Sequence, residues 1–170
     1  MAPNPARILS RWGALMFVAA CAAPAPVPEA STELARGRYM VLTGHCNNCH
    51  TAAYASRQGA IPESDWLMGN PVGWRGRNGT VYAPNLRLYM AALSEDEWVV
   101  AARTARPRAP MPWWSIRETS DADLRAIYKY IRSLQPVGTP GPTFLAPGEV
   151  PTPPYNQLPD LSLGAAGAPR

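Results

Sequence analysis

The chain has little of several residue types, and each shortage excludes a class of protein. Its 170 residues include three cysteines, too few for a disulfide-stapled mini-protein. It contains 16 basic and 12 acidic residues, with a single lysine and no dense basic cluster, so nucleic acid is not an expected partner. The length allows one modest domain with tails and excludes a large multidomain enzyme. Proline and glycine are abundant instead, at 20 and 13 residues, which indicates much irregular or extended backbone.

The N-terminus has the pattern of an export signal. Arg7 and Arg11 precede an uncharged apolar run over residues 12–20, and nine residues are too few to span a bilayer of ~30 Å. We therefore predict a signal peptide over residues 1–20. The run ends in Val-Ala-Ala-Cys21, which resembles a bacterial lipobox and predicts lipidation of Cys21. The alternative is ordinary cleavage near Ala22 or Ala23 with Cys21 incidental. Either reading predicts export, and we expect a periplasmic protein anchored to a membrane by lipid.

Composition divides the rest of the chain into three parts. Residues 21–31 form a Pro/Ala tether, residues 32–136 a folded domain, and residues 137–170 a Pro-rich tail. Nine prolines between Pro136 and Arg170 exclude a regular helix in the tail. The tail is then either disordered or a strap that docks its few apolar residues on the domain.

Three helices are predicted within the domain. The first follows a cap at Ser31 or Thr32 and runs to residue 42, and the second follows a capping box over residues 94–97 and runs until Pro107. The third follows a cap at Ser120 and carries apolar residues at helical spacing until Pro136. Residues 53–92 have no alternating pattern typical of strands. The prediction is an all-α fold of three main helices and long loops, with a thin core that needs something to fill its centre.

The segment Cys46-Asn-Asn-Cys49-His50 indicates what fills the centre of the domain. C-x-x-C-H is the attachment pattern of a c-type haem, in which each thiol adds to one haem vinyl group and the histidine lies beneath the iron. We predict one covalent haem c, with His50 as the proximal iron ligand. Three alternatives use the same residues: a thioredoxin-like dithiol, a structural disulfide between Cys46 and Cys49, and a zinc site that adds His45 to the motif.

The second axial ligand of the iron is sought among the methionines. The chain has two histidines, and His45 directly precedes the attachment motif, so it cannot easily reach the opposite face of the haem. Met111 lies between Pro110 and Pro112, which stiffen the backbone on both sides of a soft thioether. Met111 is therefore the first candidate, with Met68 and Met90 as alternatives.

Five segments together resemble the small bacterial periplasmic monohaem members of the class I cytochromes c. They are 37–40 (GRYM), 44–51 (GHCNNCHT), 81–85 (VYAPN), 110–114 (PMPWW) and 123–134 (DLRAIYKYIRSL). The resemblance implies thioether bonds at Cys46 and Cys49, with His50 proximal and Met111 distal. It also implies that Gly37 on the first helix packs against Tyr128 or Tyr130 on the last.

The chain departs from that family at two points. Many members have a proline shortly after the histidine whose carbonyl accepts a hydrogen bond from the imidazole. Here Thr51 and two alanines follow, which leaves Pro62 as a weak candidate for that role. The segment 86–93 also lacks a Gly-rich connection, and this favours Met90 slightly as an alternative ligand.

An iron with both axial positions filled by His50 and Met111 has no open position for a substrate. The sequence therefore predicts a single-electron carrier rather than an enzyme, with a dehydrogenase as donor and an oxidase or another cytochrome as acceptor. Two alternatives remain open. One is a haem subunit fixed in a larger dehydrogenase complex, and the other is a haem enzyme or gas sensor from which Met111 dissociates.

Overall fold

A computed structural model describes residues 29–159, where helices alternate with long loops. The helices are α1 (Glu29–Thr43), α2 (Cys46–His50), α3 (Leu86–Ala91), α4 (Glu95–Thr104), α5 (Trp113–Arg117) and α6 (Asp121–Ser133). A 3-10 turn covers Glu63–Asp65, and the strands are β1 (Gly73–Gly76), β2 (Gly79–Val81) and β3 (Tyr155–Gln157). None of the helices in this range is long and apolar enough to cross a membrane. The predicted signal segment 1–20 and Cys21 lie outside the described residues.

The three helices predicted from the sequence form. The predicted cap of the first at Ser31 or Thr32 was wrong, because α1 already begins at Glu29. Helix α4 ends at Thr104, three residues before Pro107.

Caps explain where the other two helices begin. Ser94 accepts a hydrogen bond from the backbone of Glu97, whose carboxylate accepts one from the Ser94 backbone at 2.7 Å, which completes the capping box of α4. Ser120 accepts a hydrogen bond from the backbone of Asp123 at 3.2 Å and begins α6. Each cap satisfies an N–H group that has no partner inside its helix.

Helices α1 and α6 cross where Gly37 removes the side chain from the contact. A Cβ at Gly37 would overlap the carbonyl oxygen of Ala126 and lie 2.7 Å from the Cβ of Tyr130. The partner of Gly37 is therefore Tyr130, and Tyr128 instead donates its hydroxyl to the carbonyl of Leu93 at 2.8 Å. The core surrounds this crossing. Its buried members are Val41, Trp66, Leu67, Met90, Ile127, Tyr130 and Ile131.

A buried arginine fastens the loop after α2 to the end of α6. The guanidinium of Arg87 donates to the carbonyls of Trp66 at 2.8 Å, Leu134 at 2.9 Å, Ser64 at 2.9 Å and Glu63 at 3.0 Å. Burial lowers the pKa of Arg87. Four carbonyl dipoles take the place of water around the guanidinium, so the burial is tolerated.

The all-α prediction with three main helices was wrong in one respect, because the chain also forms a small sheet. Its strand order is β2-β1-β3, with β1 antiparallel to β2 and parallel to β3. Trp74 on β1 stands opposite Val81 on one side and Asn156 on the other. The strands have three or four residues, too few to display an alternating pattern, and the terminal glycines of β1 and β2 weaken the strand signal further. Three shorter helices, α2, α3 and α5, accompany the predicted ones.

The described part of the Pro-rich tail lies against the domain. We call residues 137–158 the strap. Leu145 exchanges backbone hydrogen bonds with Thr80 at 2.9 and 3.0 Å, and the Leu158 N–H donates to the carbonyl of Arg75 at 2.8 Å. These residues therefore agree with the prediction of a docked strap rather than with that of a disordered tail.

Candidate haem site

The chain presents the C-x-x-C-H motif by turning sharply at the end of α1. The Gly44 N–H donates to the carbonyl of Met40 at 2.8 Å, and His45 adopts a left-handed conformation with φ of 59° before α2 begins at Cys46. The exposed His45 keeps its Nδ1 at 2.6 Å from the carbonyl oxygen of Thr43. This contact holds the His45 imidazole within the turn, so His45 is not a candidate iron ligand.

Helix α2 holds both cysteines as free thiols. Cys46 and Cys49 are half-buried, three positions apart, and neither forms a disulfide. Such spacing places both side chains on one face of a helix. Burial raises the pKa of Cys46 to about 11 and also raises the pKa of Cys49, so both are neutral thiols at neutral pH. No group of three His, Cys, Asp or Glu side chains in residues 29–159 converges to hold a metal ion, so the ligand set of a structural zinc site is not formed there.

The imidazole of His50 is buried and has a defined tautomer. Its Nδ1 lies 2.9 Å from the carbonyl oxygen of Pro84. Because a carbonyl can only accept, Nδ1 carries the proton and Nε2 keeps its lone pair, to which no described residue donates a hydrogen bond. Burial also lowers the pKa of His50 and favours the neutral ring that binds metals. The carbonyl thus comes from Pro84 rather than from Pro62, which instead precedes the 3-10 turn.

Two residues that sequence reasoning missed hold Pro84 in place. Gly69, at φ of 89°, donates its N–H to the carbonyl of His50 at 2.8 Å. A Cβ at Gly69 would lie 2.9 Å from the Asn85 nitrogen and 3.1 Å from the carbonyl carbon of Pro84. The Asn85 side chain accepts from the Arg87 N–H at 3.0 Å and begins α3. Gly69 is thus packed between the two partners of the imidazole hydrogen bond. In the sequence, the glycine at position 69 and the capping residue type at Asn85 are the only local signals of this arrangement.

The loop that carries Met111 connects α4 to α5. We call residues 105–112 the Met111 loop. Met111 is half-buried, and its N–H donates to the carbonyl of Arg108 at 3.3 Å. The Trp113 N–H donates back to Met111 at 2.9 Å, and the Trp113 ring has the guanidinium of Arg106 at 4.4 Å and that of Arg117 at 5.4 Å from its centroid. These contacts restrain the backbone on both sides of the thioether.

The other methionines occupy different surroundings. Met90 is 1% exposed and packs in the core between helices. Met40 is half-buried against the same core. Met68 is half-buried beside Gly138, at the beginning of the strap. Of the four, Met111 is the one on a loop between two helices, outside the core.

Together these groups form a donor set that fits haem c. Two neutral thiols three residues apart match two vinyl groups, and an imidazole with a free Nε2 lone pair matches a haem iron. A thioether is a further ligand that iron accepts in this setting. The chemistry of the donors therefore agrees with covalent haem attachment through Cys46 and Cys49, next to a ligating His50.

Comparison with known proteins identifies the family. Residues 34–135 match the family described as cytochrome c. The cytochrome c subunits of the quinone alcohol dehydrogenases of Gluconacetobacter polyoxogenes and Komagataeibacter europaeus are each 32% identical over 131 residues, which covers 66% of this chain and 26% of theirs. This chain thus spans about a quarter of the length of these curated relatives. No solved structure gave a significant match. With more than half of its length matched to the family, including the C-x-x-C-H segment, the chain belongs to the cytochrome c family.

Proposed function

We propose that this chain is a single-electron carrier that holds one haem c through Cys46 and Cys49, with His50 as proximal and Met111 as distal ligand. Membership of the cytochrome c family implies covalent haem and electron transfer rather than catalysis. The observation that supports the ligand assignment best is the His50–Pro84 hydrogen bond, because it leaves Nε2 available on a neutral, buried ring. When bound, the haem supplies a one-electron Fe(II)/Fe(III) couple.

The protein's own groups have distinct tasks in this scheme. Cys46 and Cys49 hold the cofactor, and Pro84 keeps the His50 ring in one orientation and one tautomer. The paired prolines around Met111 reduce the freedom of its backbone, so the thioether needs little reorganisation between oxidation states. If His50 and Met111 both bound the iron, no position would remain for a substrate, which is why we propose a carrier and not an enzyme.

The relatives favour a dehydrogenase as the electron donor. Those two proteins are described as cytochrome c subunits of quinone alcohol dehydrogenases. We propose that this chain receives electrons from a dehydrogenase and passes them to an oxidase or another cytochrome. The second candidate, a haem subunit fixed in a dehydrogenase complex, has the same support. The residue pattern at the N-terminus supports export to the periplasm with a lipid on Cys21.

Mass spectrometry of the denatured protein tests the cofactor proposal. We expect the wild-type polypeptide to carry the added mass of one haem, and the Cys46→Ala, Cys49→Ala double variant to carry none. An added mass of two haems, or none in the wild type, would contradict the proposal. Purification under mild conditions then separates the two candidates: a mobile carrier is isolated alone, and a fixed subunit is isolated with its dehydrogenase.

Binding of CO to the ferrous protein tests the sensor alternative. A ferrous iron whose Met111 ligand stays bound combines with CO slowly or not at all. Rapid binding to the wild type at neutral pH would favour the gas sensor or haem enzyme over the carrier.

A further inference from the structure

The strap contacts the site on the side of His50. Asn85, which directly follows Pro84, donates its side-chain amide to the carbonyl of Val137 at 2.8 Å and to that of Thr139 at 3.4 Å. The oxygen of the same side chain accepts hydrogen bonds from the Arg87 and Leu88 N–H groups and caps the N-terminus of α3. The first residues of the strap are therefore attached to the residue next to the carbonyl that orients His50.

The middle of the strap is fixed on the β1–β2 hairpin. Leu145 and Thr80 exchange two backbone hydrogen bonds, and Gly79 has a φ of 104°. A Cβ at Gly79 would overlap the carbonyl oxygen of Leu145 and lie 2.7 Å from two ring carbons of Phe144. The Phe144 ring thus packs on Gly79, the first residue of β2, where a side chain would leave no room for it.

The same ring contacts the Met111 loop. The guanidinium carbon of Arg108 lies over the Phe144 ring, 4.0 Å from its centroid. The carbonyl of Arg108 accepts the hydrogen bond from the Met111 N–H. Arg108 and Phe144 also line one groove of about 890 Å³ together with Gly79, Trp74 and Pro110. The Arg108–Phe144 contact therefore joins the Met111 loop to the strap at the wall of this groove.

We propose that Phe144 is a positioning residue for Met111, and that the strap thereby controls how readily the methionine leaves the iron. The inference rests on the proposed role of Met111 as the distal ligand. An outside ligand can occupy the distal position only in the fraction of molecules whose Met111 loop has opened, so its apparent affinity measures that fraction. Contact of Arg108 with a ring that packs on Gly79 lowers the open fraction.

Imidazole titration of the ferric protein measures the effect. Phe144→Leu keeps an apolar side chain on Gly79 but removes the ring beneath Arg108. We expect it to tighten imidazole binding about fivefold, equivalent to ~1 kcal/mol, which is the strength of a cation–π contact at an exposed site. Arg108→Gln should give a similar change and Arg108→Lys a smaller one, because lysine keeps the cation. The matched control is Val150→Ala, at a strap residue that is 67% exposed.

A double variant tests whether Phe144 and Arg108 act through the same contact, and a urea unfolding curve shows whether each variant still folds. If the two residues act through one contact, Phe144→Leu combined with Arg108→Gln changes imidazole affinity no more than either alone. Wild-type affinity in Phe144→Leu and Arg108→Gln, or equal tightening in Val150→Ala, would overturn the inference. If Phe144→Leu does not fold, as judged by urea unfolding, the exposed Arg108 variants decide alone. Failure of the proposed function is distinct: the wild type itself would then show no methionine-to-iron charge-transfer band.

Discussion

Replacement of Gly69 by alanine should perturb the imidazole hydrogen bond through the backbone of Pro84 and Asn85. Two effects destabilise the variant. An alanine at φ of 89° is strained by ~1–2 kcal/mol. Its Cβ would also lie 2.9 Å from the Asn85 nitrogen and 3.1 Å from the Pro84 carbonyl carbon, which are backbone atoms that cannot swing aside. Overpacking of this kind costs roughly 1–3 kcal/mol, so we expect Gly69→Ala to lower the free energy of unfolding by about 2–5 kcal/mol.

A second glycine separates the two effects. Gly148 has a similar φ of 91°, and a Cβ there would meet nothing within 4 Å. Gly148→Ala should therefore show the backbone strain alone, and the difference between the two variants in urea unfolding should be roughly 1–3 kcal/mol. Equal losses of stability in both variants would refute the packing argument.

The same substitution should change the reduction potential. Donation from Nδ1 to the Pro84 carbonyl makes the His50 ring a more basic ligand, which stabilises Fe(III). In Gly69→Ala the loop at Pro84 must move away from Gly69, and the weaker hydrogen bond should raise the potential measured by redox titration. A potential equal to that of Gly148→Ala would indicate that the hydrogen bond survives or does not tune the iron.

Two further predictions concern the α1–α6 region. Gly37→Ala gains ~1 kcal/mol of helix propensity but overlaps the Ala126 carbonyl, so urea unfolding should show a net loss of stability, and a net gain would contradict the crossing. For Glu63, burial acts to raise its pKa, but hydrogen bonds from Tyr130 at 2.6 Å and Arg38 at 2.9 Å outweigh it and lower the pKa overall. A carboxyl group whose pKa is lower in the folded state stabilises the protein at pH values above its unfolded-state pKa. This stabilisation is lost as the pH falls through the folded-state pKa. The stability deficit of Glu63→Gln should thus be full at pH 7 and shrink below about pH 4; a deficit that does not change with pH would contradict it.

Local signals were sufficient for the parts of the molecule that neighbouring residues determine. The capping residues Ser94 and Ser120 predict where α4 and α6 begin, because a cap needs only the next three residues. The attachment motif is likewise contiguous. Gly37 was expected at a helix crossing, although its partner, Tyr130 rather than Tyr128, became clear only from the packing.

Contacts between distant segments were not predictable from local pattern. The Pro84 carbonyl is 34 residues from His50, and nothing in the sequence between them marks the pairing. Strand β3 reaches β1 from about 80 residues away, in a tail whose prolines suggest extended but unpaired chain. The burial of Arg87 has no local signal in the sequence, since its four carbonyl partners belong to two segments that meet only in the folded protein.

The absorption spectrum of the ferric protein tests the central assignment most directly. Wild type, Met111→Ala and Met68→Ala would be compared for haem that stays with the denatured polypeptide and for the methionine-to-ferric-iron charge-transfer band. We predict covalent haem in all three, with the band present in the wild type and in Met68→Ala and absent from Met111→Ala. A band that persists in Met111→Ala, or a wild type without one, would contradict His50/Met111 ligation.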